Sequence, residues 1–263
     1  LPDGRFTNVE SNQALAGPLS SGASGALDAA DLGALAELAG PVLRLKKGAV
    51  IGPPVDGRRT LDLLLDGWAV NTISLSEGDR QIVGIHLPGD IVGLGRLASD
   101  DPIDEVVAVS EVAVRSVPLH ALDALFTDNP RLAALLFLVS VEERALAMER
   151  LALMGHMMAK ERLAAHLVRL GERVSKSDPS LRLRFEMPLT QQDLADMIGV
   201  STVHLNGIVQ ELRAGGLIRL TRRELHILDH DALVALAGIR PWKRARADWL
   251  PASVTAPAPI PQN

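Results

Sequence analysis

Residues 189 to 220, LTQQDLADMIGVSTVHLNGIVQELRAGGLIRL, constrain the fold of this chain more tightly than any other segment. Thr190 predicts a helix start at Gln191: its hydroxyl can accept a first-turn amide while Asp193 reaches back to complete a capping box. Leu194, Ala195 and Ile198 supply a buried face. Gly199 permits a tight turn, and Ser201 can cap a second helix running to about Ala214. In that second helix Leu205, Ile208, Val209 and Leu212 fall at i, i+3, i+4 and i+7 and face inward. Thr202, Val203, His204, Asn206, Gly207 and Gln210 are left outside. The following GGLIRLTRRELHILD predicts a strand, a tight turn at Arg222 and Arg223, and a returning strand.

Helix, short glycine turn, second helix and β-hairpin together predict a winged helix-turn-helix, whose second helix enters the major groove of DNA N-terminus first. Its outward face from Thr202 to Gln210 carries no Arg or Lys. Base-edge contacts are therefore assigned to Thr202, Val203, His204, Asn206 and Gln210. Phosphate contacts fall to Thr190, Ser201, Arg213, Arg219, Arg222 and Arg223, with Lys243, Arg244 and Arg246 as further cations. The net charge of −5 argues against a generally basic coat protein, but its distribution is uneven. Residues 160 to 263 hold 15 Lys and Arg against 11 Asp and Glu, whereas residues 1 to 159 hold 12 against 21. The C-terminal part is the half able to approach phosphate, with salt-sensitive binding.

Upstream the texture changes. Residues 1 to 26 are small and polar and predict a flexible arm; residues 244 to 263, a Pro/Ala tail, predict another. LDAADLGALAEL, from Leu27, reads as a short helix. From Val42 to Pro118 short β-type runs (VLRLKKG, TLDLLLDG, WAVNTISLSEG, DRQIVGIHLPGD, EVVAVSEVAVRSV) alternate with turn residues, including a hairpin turn at Glu77, Gly78 and Asp79. This spacing predicts an all-β sandwich or roll. After Asn129 and Pro130 a long helix follows, with Leu132, Val139, Leu146 and Leu153 at intervals of seven and Leu138 beside them. These, with Leu135, are read as a dimer seam; the same pattern fits a long helix laid on its own β-domain. Gly155 predicts a hinge before a helix from Ala159 to Val174.

The absence of cysteine removes disulfides, thiolate nucleophiles and Cys-ligated metal centres. No apolar run is long enough for a bilayer, and the N-terminal residues show no basic-then-apolar leader pattern, so a cytoplasmic protein without a membrane partner is expected. No catalytic residue, metal site or cofactor is assigned. His86 and His120 read as structural or surface residues, and His156, among Met154, Met157 and Met158, as part of a packed interface.

The helix-turn-helix LTQQDLADMIGVSTVHLN with IVQELRAGGLI, and LLLDGWA and LPGDIVG upstream, resemble the Crp/Fnr superfamily of bacterial transcription regulators over residues 27 to 240. The resemblance implies an α+β fold: a double-stranded, jelly-roll-like β-roll sensor at 27–128, a dimerisation helix at 129–158 and a winged helix-turn-helix domain at 159–243. It also implies a homodimer on pseudo-palindromic double-stranded DNA, with RNA polymerase as a further partner of an activator. Relatives with a VHVNR core have arginine where this chain has Gly207, so a guanine contact is expected to be missing. In cyclic-nucleotide-binding relatives a Gly-Glu pair and a later arginine hold the ribose and phosphate. Here Gly89, Asp90 and Gly93 match the turn, but Leu94 replaces the glutamate. Asp100, Asp101, Asp104 and Glu105 follow without the arginine, and Arg96 comes too early for that role. A phosphate there would be repelled, so cyclic AMP is not expected as effector and any small-molecule effector is of another kind. Two other readings remain: a partner that dimerises with a related regulator and silences it, and a cupin-like β-roll enzyme fused to a helix-turn-helix. Two isolated histidines supply no metal ligand cluster for the latter.

Overall fold

The computed structural model describes residues 29–52, 59–75, 79–99, 101–175 and 178–240. Helix α1 (Ala29–Glu37) buries Leu35 and Ala36 and is fastened to the long helix by a two-pronged ion pair from Arg131 to Asp31, at 3.0 and 3.1 Å. Seven strands follow: β1 (Val42–Leu45), β2 (Thr60–Asp66), β3 (Ala69–Ser74), β4 (Arg80–His86), β5 (Ile91–Val92), β6 (Glu105–Ala108) and β7 (Val112–Pro118). They form two antiparallel sheets, ordered β1-β7-β2-β5 and β4-β3-β6. Strand β2 is buried on both faces from Leu61 to Leu64, which is why TLDLLLD lacks clean alternation. Its exit requires Gly67 (φ 78°), where a Cβ would stand 2.1 Å from the Glu111 carbonyl. The expected hairpin joins β3 to β4, with Ser74 opposite Arg80; Asp79 lies at its end, and Glu77 and Gly78 fall outside the described residues. The short helix α2 (Gly95–Ala98) sits between β5 and β6.

Helix α3 (Leu122–Asp128) leads into the long helix α4 (Pro130–His156), whose start is set by the Asn129 side chain accepting from the Leu132 amide at 3.0 Å, with Pro130 in the first turn. Two sequence expectations are corrected here. The residues read as a dimer seam mostly face the protomer itself: Leu132, Leu135 and Val139 are buried with Leu61, Leu63, Ile91 and Leu125, Leu138 is half-buried against the same cluster, and Leu153 is buried further along. The exposed stripe of α4 is instead Phe137, Val141, Met148 and Leu151, with Arg144 between them. The intervals of seven are the same, but the phase is about half a turn away, because α4 is apolar on both sides. The hinge also moves. Gly155 is inside the helix, and the chain leaves helical geometry at Met157 (φ −104°, ψ 148°) and Met158 (φ −66°, ψ 154°). Arg162 clasps this break by donating to the carbonyls of Met157 (2.7 Å) and Ile198 (3.1 Å).

Helix α5 (Ala159–Val174) opens the C-terminal unit, followed by β8 (Arg184–Glu186), α6 (Gln191–Ile198), α7 (Thr202–Ala214), β9 (Ile218–Leu220), β10 (Glu224–Ile227) and α8 (His230–Ala237). The sheet order is β8-β10-β9. One apolar cluster runs from this unit into the roll, joining Val70, Ile82 and Ile85 to Leu163, Leu194 and Leu205. Trp68 of the roll stacks on Phe185 of β8 with ring centroids 6.4 Å apart. Polar contacts reinforce the join. Arg80 pairs with Asp193 and with Asp196 (2.7 Å), and Gln81 donates to the Asp196 and Met197 carbonyls. The tip of the β3–β4 hairpin therefore grips the first helix of the helix-turn-helix.

Candidate nucleic-acid interface

The geometry of α6 and α7 follows the local signals. Thr190 Oγ1 accepts from the Asp193 amide (3.1 Å), while Asp193 Oδ2 accepts from the Thr190 amide (2.8 Å) and hydroxyl (2.7 Å). Gly199 ends α6 in the left-handed conformation (φ 68°, ψ 49°). A Cβ there would lie 2.8 Å from the methyl of Met154, so the turn is also where α4 touches this unit. Ser201 Oγ accepts from the His204 amide at 3.2 Å and starts α7, which buries Leu205, Ile208, Val209 and Leu212.

The opposite face of α7 is open. Val203 is 83% exposed, and His204, Asn206, Gly207 and Gln210 are exposed beside it. Thr202 is half-buried and its hydroxyl donates to Gln192 Oε1 at 3.0 Å, which makes Gln192 a neighbour of the reading face that sequence reasoning missed. Among the phosphate candidates, Thr190 and Ser201 use their hydroxyls as caps. Arg213 donates to the Leu220 carbonyl and ties α7 to the wing. Arg219, Arg222 and Arg223 are exposed on the wing, and among the described residues their guanidinium groups make no ion pair. Lys243, Arg244 and Arg246 lie outside the described residues. A Cβ on Gly207 would meet nothing within 4 Å, so the residue leaves a gap on the face and no packing demands it.

The degenerate cassette is occupied by the protein itself. Gly89 (φ 89°) and Gly93 (φ 85°) make its turns. Arg96 folds back over Gly93 and Gly52, pairs with fully buried Asp62 at 2.6 Å, and donates to the carbonyls of Thr60 (3.1 Å) and Ile51 (2.5 Å). Leu94 packs on the apolar core behind β2. Asp90 is buried, accepts from the Leu87 amide at 2.9 Å and pairs with Arg173 of α5, so it joins the two halves of the chain. Of the acidic residues that follow, Asp104 accepts from Asn71 (2.6 Å), Asp101 and Glu105 are exposed, and Asp100 falls outside the described residues.

A second feature was not foreseen. Between β4, α4 and α5 lies a cavity of about 710 Å³, lined by apolar side chains including Ile73, Val139 and Leu146 and by charged side chains of both signs, among them Asp90, Glu143, Glu149, Arg150 and Arg173. His86 and His166 also line it, and burial pushes them down to about 4 and about 3, so both are neutral. Burial, and next the carboxylate of Asp90, push Glu143 up to about 7. In the sequence Glu143 and Arg150 look like ordinary solvated charges of a long helix, and only the packing of α5 across them reveals otherwise.

A chain that carries a β-roll, a long helix and a winged helix-turn-helix with an uncovered second helix has the architecture of a DNA-binding regulator. Residues 161–236 match the Crp-like helix-turn-helix domain. The chain is 29% identical over 213 residues to the transcriptional activator protein Anr of Pseudomonas protegens, covering 81% of this chain and 86% of that protein. It is 26% identical over 195 residues to the fumarate and nitrate reduction regulatory protein of Vibrio cholerae, covering 74% and 78%. Among solved structures it resembles FixK2 from Bradyrhizobium japonicum, with a TM-score of 0.64 at 22% identity, covering 75% of this chain and 96% of that one. Residues 161–236 carry a Crp-like helix-turn-helix domain, and the chain is similar over most of its length to transcription regulators of the Crp/Fnr type. Among the described residues no helix is long and apolar enough to cross a membrane.

Proposed function

We propose that the protein acts as a homodimer that reads a pseudo-palindromic DNA site through α7, without control by cyclic AMP. The observation that carries this is the uncovered N-terminal face of α7, flanked by wing arginines with no ion-pair partner among the described residues. Val203, His204, Asn206 and Gln210 contact base edges; Thr202 joins them when it releases Gln192. Arg219, Arg222 and Arg223 hold phosphates, with the N-terminal turns of α6 and α7 at Thr190 and Ser201 adding backbone amides; Arg213 contributes mainly by fixing the wing. Two copies associate along Phe137, Val141, Met148 and Leu151, which places two α7 helices in successive major grooves about 34 Å apart. The reading without cyclic AMP is supported by Arg96, which is engaged by Asp62 and two carbonyls where a phosphate would need a free cation.

The test is selection of bound duplexes from a random DNA pool at two salt concentrations, with and without cyclic AMP. A palindromic site recovered equally in both is expected, with affinity falling steeply with salt. Recovery of no site under any condition would transfer the assignment to a partner that silences a related regulator, and a site recovered only with cyclic AMP would refute the cassette reading.

A further inference from the structure

The hydroxyl of Thr202, the first residue of α7, donates to Gln192 Oε1 at 3.0 Å, and the orientation of that amide is not free. Its other end, Nε2, donates to Asp196 Oδ1 at 2.5 Å, one turn further along α6. The second oxygen of Asp196 accepts from Arg80 Nε at 2.7 Å. A carboxylate in an ion pair can only accept, so the Gln192 atom that faces it must be the amide nitrogen. The atom left for Thr202 is then the amide oxygen, which also can only accept. The Thr202 proton is therefore committed to Gln192, and only lone pairs remain on its oxygen. The Asp196 side chain is 9% exposed, and Arg80 reaches it from β4, so the far end of this relay is anchored outside the helix-turn-helix. Asn206 and Gln210 differ: both are exposed on α7, and among the described residues no partner holds their amides in one orientation.

We propose that Gln192 and Asp196 are positioning residues that fix what Thr202 reads: with its proton held, the hydroxyl accepts from the exocyclic amino group of adenine or cytosine and cannot satisfy the keto oxygen of guanine or thymine. Every base pair shows one such amino group in the major groove, on adenine in one kind of pair and on cytosine in the other. Thr202 thus distinguishes the strand that carries the amino base, not an A·T from a G·C pair. Release of Gln192 is needed only where Thr202 donates to a base, and that route gives up a hydrogen bond which acceptance keeps. The inference rests on the assignment of α7 as the DNA-reading helix; the relay from Arg80 to Thr202 does not.

The experiment is selection of bound duplexes from a random pool with the full chain and with Thr202→Val, which removes the hydroxyl and keeps the branched shape. The position at which the two preferences differ is the base pair that the hydroxyl meets. In synthetic duplexes the amino-bearing base of that pair is then replaced by its analogue without the amino group, purine for adenine or 2-pyrimidinone for cytosine, and competition binding gives the ratio of the two affinities. The parent is expected to lose about tenfold and Thr202→Val no more than about twofold, as befits one hydrogen bond. Gln192→Leu should lose no more than about threefold, because its freed hydroxyl can turn and donate to a neighbouring acceptor. Thr202→Ser keeps the hydroxyl and should behave as the parent does. Gln192→Leu can also weaken binding to every duplex, but a general loss leaves the ratio unchanged. A parent indifferent to the amino group, a Thr202→Val preference identical to the parent's, or a Gln192→Leu ratio as large as the parent's would each overturn the inference while leaving α7 as the reading helix. Recovery of no site with the parent would remove both.

Discussion

At the residue scale, Gly207 decides most. It sits in the middle of α7 on the exposed face, with nothing within 4 Å of where a Cβ would be. Neither close packing nor an unusual backbone angle explains it, and a helix-interior glycine costs about 0.8–1 kcal/mol relative to alanine. Gly207→Ala is therefore expected to raise stability by about that amount in a urea unfolding titration, with the recovered DNA site unchanged. Gly207→Arg reaches the same open space with a bidentate donor. It should shift one position of each half-site toward guanine, by about 1–3 kcal/mol of discrimination in competition binding. A preference that does not move would mean that α7 lies too far from the base edges at this position, and would count against the base-contact assignments on either side of it.

At the element scale, the helix-turn-helix was legible and the long helix only half so. Helices α6 and α7 are specified by near neighbours: Thr190 with Asp193, Gly199, Ser201, and one apolar stripe each. Such signals are complete within a dozen residues. Helix α4 carries two apolar faces with the same seven-residue interval, and the sequence does not say which one its own β-roll covers. The roll takes Leu132, Leu135 and Val139, which leaves Phe137, Val141, Met148 and Leu151 outward. The break after α4 was misplaced for a related reason, since Gly155 is tolerated inside a helix held by packing at Leu153. Variants separate the two faces. Met148→Glu combined with Leu151→Glu should convert the protein to monomers in sedimentation and weaken DNA binding while leaving the protomer folded. Leu135→Ala should leave association intact and cost about 2–5 kcal/mol in unfolding. The opposite pattern would restore the inner face as the seam.

At the scale of the whole molecule, the cavity couples stability to pH through groups that no local pattern exposes. Glu143 faces Asp90, Arg173, Arg150 and Asp104, and burial is the largest cause of its rise to about 7. Its folded form thus holds a proton that the unfolded chain has already lost. That contribution is fully present below the unfolded value of about 4.5 and is lost as pH rises through about 7. His86 and His166 act in the other direction: lowered by burial to about 4 and about 3, they favour the folded state above the unfolded value of about 6.5, and lose that contribution as pH falls through their folded values. Between about pH 4.5 and 6.5 the carboxyl and the histidines oppose each other, and two histidines outweigh one carboxyl on further acidification. Glu143→Gln isolates the carboxyl. Removing a buried charge should make the variant more stable than the parent at pH 8, and the difference should shrink steadily as pH is lowered to 5, where the parent's Glu143 is protonated when folded. A difference in urea midpoint that stays constant from pH 8 to 5 would show that Glu143 titrates in the folded protein as it does in the unfolded chain. In that case the cavity around it is open to water, and the packing of α5 across Glu143 does not exclude solvent.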